Sequence, residues 1–378
     1  MKLVFLTNLI HHHQIPLADE FYKVLGDDYK YVITETMPDF LLRGGYNNNV
    51  IKPYLLSVAD NSNNLEMVQG LVDDADVVII GSAPETFVKK RLDNNKLTFH
   101  YSERWFKKIT WRNFTPKAIL NLYKNHIRYR NSESYMLCAS AFTACDVNSV
   151  FCYPNKCFKW GYFTAVEDLE LEKILHEKKG KLRIMWCARF IDWKHPELPI
   201  LLAKRLKDKG YIFEINMYGS GEKLDDSKKL SKDLMVDDVV FFMGNIPNDE
   251  ILKTMRTHNI FLFTSDKNEG WGAVLNESMA NACAVVASDK IGSVPYLIKD
   301  GINGLVFESG NISSLEHKME LLFNDCFLVE QLSRAAYHTI KDEWSPSRAC
   351  SSFLTLVDLI QNNKLRFDSI KYGPCSFA

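Results

Sequence analysis

The segment IFLFTSDKNEGWGAVLNE, residues 260–277, decides the fold of the chain. It begins with an apolar run, Ile260 to Phe263, of the kind that forms a buried parallel strand. Two glycines then form a turn, and the residues that follow have the pattern of a helix that begins near Gly272. A strand, a glycine turn and a helix are the repeating unit of a parallel α/β sheet, and the start of such a helix directs backbone N–H groups at an anion.

Two carboxylates flank this turn, Glu269 at the mouth of the predicted helix and Glu277 in its second turn. Ligands of open α/β sheets bind at the carboxyl ends of the strands, so both side chains can accept hydrogen bonds from ligand hydroxyls there. The alternative is that Glu269 only complements the helix dipole and that Glu277 is an exposed helix carboxylate. A phosphate between two hydroxyl-binding carboxylates is the pattern expected for a nucleotide-sugar site.

The composition is that of an ordinary globular protein of two domains. The chain has 378 residues, of which 46% are hydrophobic and 25% charged, and its net charge is −1. These values exclude a disordered chain and argue against a dedicated nucleic-acid-binding protein. The nine cysteines include no C-x-x-C pair, which indicates free thiols in a reducing compartment. No leader and no long apolar segment is evident, so we expect a cytoplasmic protein without a transmembrane helix.

Apolar strand-like runs alternate with helical patterns along the whole chain, which predicts two parallel α/β sheets. We assign residues 1–163 to an N-terminal Rossmann-like domain and residues 164–345 to a C-terminal nucleotide-sugar-binding domain. The charged stretch 165–181 is the predicted hinge. The C-terminal segment 346–378 begins with an amphipathic helix over 346–361, and we expect it to pack back on the first domain.

The segment from Asn268 to Phe307 resembles the hallmark of the retaining glycosyltransferases of family 4, the group 1 type found in bacterial polysaccharide synthesis. The shared features are E-G-x-G, a second Glu eight residues after the first, and D-G-x-N-G, which is the first part of the family's D-G-x-N-G-x-L-V. The departures are Ala282 and Ala284, where Gly and Pro are usual, and Tyr296, where a Glu often follows the proline. The resemblance implies the GT-B fold, in which two doubly wound Rossmann-like parallel-sheet domains face a cleft.

The resemblance also implies roles for residues of the second half. Glu269 would contact the hydroxyls of the donor sugar, and Glu277 the ribose. Arg189 and Lys194 match a G-R-x-x-x-x-K signature, with Ala188 in place of the glycine, and two cations at the end of a strand suit a diphosphate. The alternative for this pair is ordinary surface ion pairing. The remaining donor-binding candidates are Gly219, Asn245, Ile246, Gly272, Ala273 and Val274.

Acceptor recognition is assigned to the first half. His12, His13 and Gln14 follow the first strand and are candidates for binding sugar hydroxyls. Glu103 follows a later strand and is a candidate base with Arg104 as its orienting cation, although a salt-bridged loop fits equally well. The histidine run offers ligands that point in different directions, and Asp74-Ala75-Asp76 precedes a strand rather than following one. We therefore expect no essential metal.

Residues 104–130 contain eight Lys and Arg and no acidic residue. This pattern is typical of a solvated helix face, and it also fits a surface that binds anionic lipid headgroups. A nucleic-acid-binding surface would show a similar local pattern, but the donor-site motifs argue against that function. Six aromatic residues are interleaved with the basic ones, namely Trp105, Phe106, Trp111, Phe114, Tyr123 and Tyr129.

The sequence therefore predicts an enzyme that moves a sugar from a nucleotide diphosphate, UDP in the first instance, to an acceptor hydroxyl with retention of configuration. The expected acceptor is a saccharide or lipid-linked saccharide of cell-surface polysaccharide or glycolipid synthesis, reached at the inner face of the membrane. The alternatives are a nucleotide-sugar epimerase of the same fold, an inverting transferase, or a catalytically silent binding partner. The sequence does not indicate the oligomeric state.

Overall fold

The computed structural model describes residues 1–36, 51–59, 64–108 and 110–378. The chain divides into two compact units. The first comprises Met1–Ala165 and Ser345–Ala378, and the second comprises Val166–Trp344. Across these described ranges, no helix has both the length and the apolar character needed to cross a bilayer.

The first unit contains a parallel sheet in the order β3-β2-β1-β4-β5-β6-β7. The strand order reverses between β1 and β4, so this pair is the topological switch point of the sheet. Most of these short runs are mainly apolar and form buried parallel strands, whereas β3 is only half-buried. The strands are β1 (Leu3–Thr7), β2 (Tyr29–Ile33), β3 (Leu55–Ser57), β4 (Val77–Ile80), β5 (Thr98–Ser102), β6 (Ser134–Cys138) and β7 (Cys157–Lys159).

Helices cover this sheet, and the C-terminal helix is one of them. The helix Pro346–Gln361 starts with proline at its first position and with Ser345 as its N-cap. Phe353 of this helix packs edge-on against Phe21 and Phe99, with ring centroids 5.6 and 5.0 Å apart. The other described α-helices of the unit are Ile15–Leu25, Asn64–Asp74, Lys89–Asp93, Pro116–Asn125 and Thr143–Ser149.

The second unit repeats the plan with a six-stranded parallel sheet in the order β10-β9-β8-β11-β12-β13, whose switch point lies between β8 and β11. Its strands are β8 (Leu182–Cys187), β9 (Phe213–Tyr218), β10 (Val240–Gly244), β11 (Ile260–Phe263), β12 (Ala284–Ser288) and β13 (Leu305–Phe307). Its α-helices are Leu171–Glu177, Glu197–Asp208, Leu224–Asp233, Asn248–Met255, Val274–Ala280, Val294–Leu297, Ile312–Asn324 and Cys326–His338.

The two Rossmann-like parallel sheets confirm the predicted fold class. In the second half, apolar runs near 182–188, 212–217, 238–242, 259–263, 284–287 and 304–307 predict six strands, and all six are present. In the first half the sequence analysis missed β3, β6, β7 and the helix Thr143–Ser149, which are short and lack clear periodicity. The predicted hinge 165–181 contains the helix Leu171–Glu177, and residues 62 and 63 of a helix predicted near 62–71 lie outside the described residues.

Candidate active site

The candidate site of the second unit lies where β8 and β11 end, at the switch point of its sheet. Thr264, which follows β11, links the loops after the two strands. Its hydroxyl donates to the carbonyl of Lys194 over 2.6 Å and accepts from the indole N–H of the β8 residue Trp186 over 2.9 Å. These bonds hold the short 3-10 turn Asp192–Lys194 beside the glycine turn that follows β11.

Lys194 and Glu269 form an ion pair in this site, with side chains only 11% and 10% exposed. The ammonium also lies 4.4 Å from the ring centroid of Trp193, which adds a cation–π contact. Removing one partner of a buried ion pair leaves an uncompensated charge, so the two side chains depend on each other. The structure thus brings together two of the predicted donor-binding residues, which are far apart in sequence.

The turn before the following helix requires glycine at position 272. Gly272 has φ of +85°, and a Cβ there would lie 2.5 Å from the ring of Phe263. The helix itself, Val274–Ala280, begins two residues later and contains only seven residues. Its dipole is correspondingly limited. Arg189 and Lys194 would therefore contribute more to binding a phosphate than the backbone N–H groups from Gly272 to Val274.

The loop that carries Arg189 packs against the glycine turn after β9. Gly219 has φ of +131°, and a Cβ there would lie 2.0 Å from the carbonyl oxygen of Ala188. The adjacent Ser220 accepts the N–H of Phe190 at its carbonyl over 2.9 Å, and its hydroxyl accepts the amide of Asn245 over 2.8 Å. Arg189, Gly219 and Asn245 are therefore neighbours, and the guanidinium of Arg189 is exposed, 6.0 Å from the ring of Trp193.

Glu277 is buried on the same edge of the sheet. Burial raises its pKa to about 7, although a hydrogen bond with the Asn248 side chain acts in the opposite direction. Burial and then the charge of Glu277 raise the pKa of Cys187, at the end of β8, to about 12. The carboxyl group therefore changes its protonation near neutral pH, and its protonated form can donate as well as accept a hydrogen bond.

Several residues of this site were missed by the sequence analysis. His195 has φ of +52° and lies with Nδ1 2.8 Å from Glu197 and Nε2 3.7 Å from Asp266. The hydrogen bond to Glu197 raises the pKa of His195 despite its partial burial. The loop before Val294 also contributes, because the N–H of Gly292 donates to the carbonyl of Glu269 over 3.3 Å. The only sequence signal for His195 was its position next to Lys194.

The acceptor candidates of the first unit follow β1. Burial and the neighbouring His11 lower the pKa of His12 to about 4, and burial lowers that of His13 well below its usual value, so both imidazoles are neutral at pH 7. The side-chain oxygen of Gln14 accepts a hydrogen bond from the hydroxyl of Tyr31 over 2.9 Å. Neutral rings and an amide are suited to hydroxyl groups rather than to phosphate.

The predicted partnership of Glu103 with Arg104 is wrong. Glu103 pairs with Lys107 at 2.8 Å and accepts a hydrogen bond from the hydroxyl of Tyr162, also at 2.8 Å. Arg104 instead pairs with Asp146 at 3.3 Å and lies over the ring of Phe142. Consecutive residues after a strand point in different directions, and the acidic partner of Arg104 comes from a helix that the sequence analysis did not predict.

Comparisons with known proteins agree with this fold. Residues 168–339 match the family model described as glycosyl transferases group 1. The amylovoran biosynthesis glycosyltransferase AmsK of Erwinia amylovora is 30% identical over 153 residues, which are 39% of this chain and 37% of AmsK. The chain thus matches little more than a third of the length of that relative.

Two solved structures share the fold over nearly the whole chain. A glycosyltransferase from Rickettsia africae superposes with a TM-score of 0.69 at 16% identity, covering 96% of this chain and 98% of its own. The Anabaena protein HepE, solved in complex with UDP, gives a TM-score of 0.67 at 12% identity, covering 96% of this chain and 99% of its own. These likenesses establish the GT-B type of fold.

Proposed function

We propose, from the premise that the second unit belongs to the glycosyl transferases group 1 family, that this protein transfers a sugar from a nucleotide diphosphate to an acceptor hydroxyl. The donor is a UDP-sugar and the product serves cell-surface polysaccharide or glycolipid synthesis. HepE, which has the same fold, was solved with UDP, and AmsK acts in amylovoran biosynthesis. Both facts support this choice of donor and pathway class.

The buried Lys194–Glu269 ion pair is the observation that carries the proposal. Its charges balance each other at the edge of the sheet where ligands of this fold bind. A nucleotide-sugar offers the lysine a phosphate and the carboxylate a set of hydroxyls, so both can exchange partners without leaving a buried charge uncompensated. The exposed guanidinium of Arg189 supplies a second cation for the diphosphate.

Sugar transfer breaks the bond between the anomeric carbon and the diphosphate, and negative charge develops on the leaving oxygen. Arg189 and Lys194 stabilise that charge, and backbone N–H groups of Ala273 and Val274 add to their effect. Glu269 orients the sugar, and Glu277 holds the ribose. The acceptor hydroxyl bonds to the anomeric carbon on the same face, and its proton passes to the departing phosphate, so configuration is retained without a protein nucleophile.

A panel of nucleotides tests the donor assignment directly. Thermal unfolding of the full chain is measured with UDP, UDP-sugars, GDP, ADP and no ligand. A true donor at a hundred times its Kd stabilises the folded state by about 2.7 kcal/mol. Stabilisation by UDP compounds that is lost in Glu277→Ala and kept in the exposed control Glu250→Ala supports the proposal. Equal behaviour of all nucleotides contradicts it.

Product analysis separates the alternative reactions. With a sugar acceptor present, NMR of the new anomeric centre distinguishes retention from inversion. An epimerase converts the nucleotide-sugar without any acceptor, and a silent binding partner binds the donor but releases no UDP. The retaining proposal requires acceptor-dependent UDP release and an anomeric configuration equal to that of the donor.

The acceptor side of the reaction is proposed to operate at an anionic membrane surface. The helix Pro116–Asn125 exposes Ile119 at 52%, Leu120 at 49% and Tyr123 at 52%. The exposed Lys117 and Lys124 lie on the same helix. Apolar residues beside lysines fit a headgroup surface, where each cation contributes about 1 kcal/mol. Ile109 and the side chains of Arg112 and Phe114, in the predicted stretch 104–130, lie outside what the structure describes.

Vesicle co-sedimentation tests this surface. The protein should sediment with vesicles that contain phosphatidylglycerol and remain in solution with pure phosphatidylcholine. The variant Ile119→Ser/Leu120→Ser should weaken sedimentation, while Ile302→Ser, an exposed apolar residue of the second unit, should not. Equal binding to both vesicle types, or preferential binding to RNA, contradicts the proposal.

A further inference from the structure

Three side chains with metal-ligand chemistry converge in the first unit. Glu85 opens the 3-10 turn Glu85–Phe87 that follows β4, and His100 lies inside β5. His126 caps the C-terminal end of the helix Pro116–Asn125. One potential ligand atom from each of the three lies within 4.8 Å of the others. None of them has a role in the donor site of the second unit.

The spacing of the first two ligands fits a single small cation. The Oε1 atom of Glu85 lies 3.5 Å from Nδ1 of His100. Two ligands of one tetrahedral zinc ion, with bonds of about 2.0–2.1 Å, are about 3.4 Å apart. The potential ligand atom of His126 lies within 4.8 Å of the other two.

The surroundings leave polar atoms of this cluster unsatisfied. His100 is only 3% exposed, and its Nε2 atom has no hydrogen-bond partner among the described residues. The Oε2 atom of Glu85 is likewise buried without a partner in that part of the chain. Buried polar atoms without partners cost free energy, and an ion bound by the Glu85 carboxylate removes part of this cost. An imidazole binds one ion through a single nitrogen, so His100 contributes either Nδ1 or Nε2.

His126 is oriented by contacts on its other side. Its Nδ1 atom lies 2.7 Å from the hydroxyl of Tyr153, and its ring packs against Trp105 with centroids 4.8 Å apart. A hydrogen bond at one ring nitrogen that fixes the imidazole and leaves the other nitrogen available is the usual support of a metal-binding histidine. The ring of His100 meets that of His126 edge-on at 5.1 Å.

We propose that Glu85, His100 and His126 bind a divalent transition-metal ion, with Zn²⁺ the best match to two imidazoles and one carboxylate. Glu85 also lines a cavity of about 270 Å³, together with Lys124 and other residues. The ion links the turn after β4, the strand β5 and the helix Pro116–Asn125. Its role is structural, so failure of this proposal leaves the proposed sugar transfer intact.

The test measures metal binding to the full chain after treatment with a chelator. Titration with Zn²⁺ by calorimetry should show one site that is lost or weakened on the order of tenfold to a hundredfold or more in Glu85→Gln and in His126→Gln. Both positions are partly exposed, so these variants keep the fold where His100→Asn does not. Zn²⁺ should also raise the melting temperature of the wild type more than that of either variant.

Other side chains that could bind the added metal ion require controls. Replacement of the exposed His317 by Asn, and of His12 by Asn, should leave this binding unchanged. The cysteines are free thiols, so Co²⁺ is used as a spectroscopic probe, and thiolate charge-transfer bands would assign the ion to cysteine. Such bands, absent uptake, or equal uptake by wild type and both variants would overturn the proposal.

Discussion

The two sheets have the same architecture, but the side chains at the carboxyl ends of their strands differ in charge. At the second edge Lys194, Glu269 and Arg189 are charged, and the first two form a buried ion pair. After β1, at the first edge, His12 and His13 are neutral because burial lowers the pKa of both rings. A repeated fold therefore supplies a charged edge suited to a diphosphate and a neutral edge suited to sugar hydroxyls. Fold alone does not determine function, so the proposed function rests on this difference in site chemistry.

The largest effect is expected from removing the cations of the charged edge. The variant Arg189→Ala/Lys194→Ala should lower turnover at least about a hundredfold, because it removes the two groups that we propose stabilise the leaving diphosphate. Steady-state kinetics with a UDP-sugar measure this change, and circular dichroism checks the fold. Lys204→Ala, which removes a surface lysine paired with Asp208, is the matched control. Wild-type kinetics in the double variant would contradict the proposed role of the two cations in binding the diphosphate.

A second test compares the glycines of the two edges. Gly219→Ala should lower the free energy of unfolding by about 2 kcal/mol or more, because φ of +131° is strained for alanine and the added Cβ meets the carbonyl of Ala188 at 2.0 Å. Gly81→Ala in the first unit is the counterpart. Its Cβ would meet a side-chain atom of Tyr101 at 3.3 Å, which small adjustments relieve. Chemical denaturation measures both variants. Equal losses in the free energy of unfolding would show that the backbones do not approach more closely at the second edge than at the first.

The third test uses pH. Burial raises the pKa of Glu277 to about 7, above the value near 4.5 of the unfolded chain. The folded state therefore holds a proton that the unfolded state has lost, and stability falls as pH rises from about 4.5 to 7. Glu277→Gln should remove this fall, with a gain at pH 8 of up to about 3 kcal/mol and little change at pH 4.5. Denaturant unfolding at both pH values measures it.

The matched variant for this titration is Glu250→Gln, on the exposed surface of the same unit. It should leave the pH profile unchanged. A profile of Glu277→Gln parallel to that of the wild type would show that the carboxyl group is not buried in the folded state. His12 and His13 contribute to the same window with the opposite sign, because burial lowers their pKa values and stability therefore rises with pH up to about 6.5. Glu277→Gln leaves that contribution in place, so the difference between the variant and the wild type isolates the carboxyl group.

The smallest effect concerns backbone strain. Ala282 follows the helix Val274–Ala280 with φ of +57°, a position where helices usually end in glycine. Ala282→Gly should raise the free energy of unfolding by about 1 kcal/mol. Phe151→Gly is the first-unit counterpart, with φ of +60° and a side chain 71% exposed. Ala280→Gly, inside the helix, should lose about 1 kcal/mol, and a loss in Ala282→Gly would contradict this account.

The sequence predicted the buried parallel strands well because both of their faces are apolar. The runs VVII of β4 and IFLF of β11 are examples that no helix pattern resembles. Strand β6, with sequence SYMLC, mixes polar and apolar residues and was missed. Residues that share one turn, such as Glu269 and Gly272, are neighbours in the structure, as their spacing predicts. The partner predicted for Arg104 was wrong, because Asp146, with which it pairs, lies 42 positions away.

The sequence by itself determined two parallel α/β layers and the family signature around Glu269 and Glu277, because periodicity and motif spacing are local properties. Only the tertiary structure decided that Lys194 pairs with Glu269, 75 positions apart, and that Glu85, His100 and His126 meet. It also decided the burial that raises the pKa of Glu277, since burial depends on every element packed around a group. Pairing and burial arise from packing between distant segments, which residue spacing does not specify.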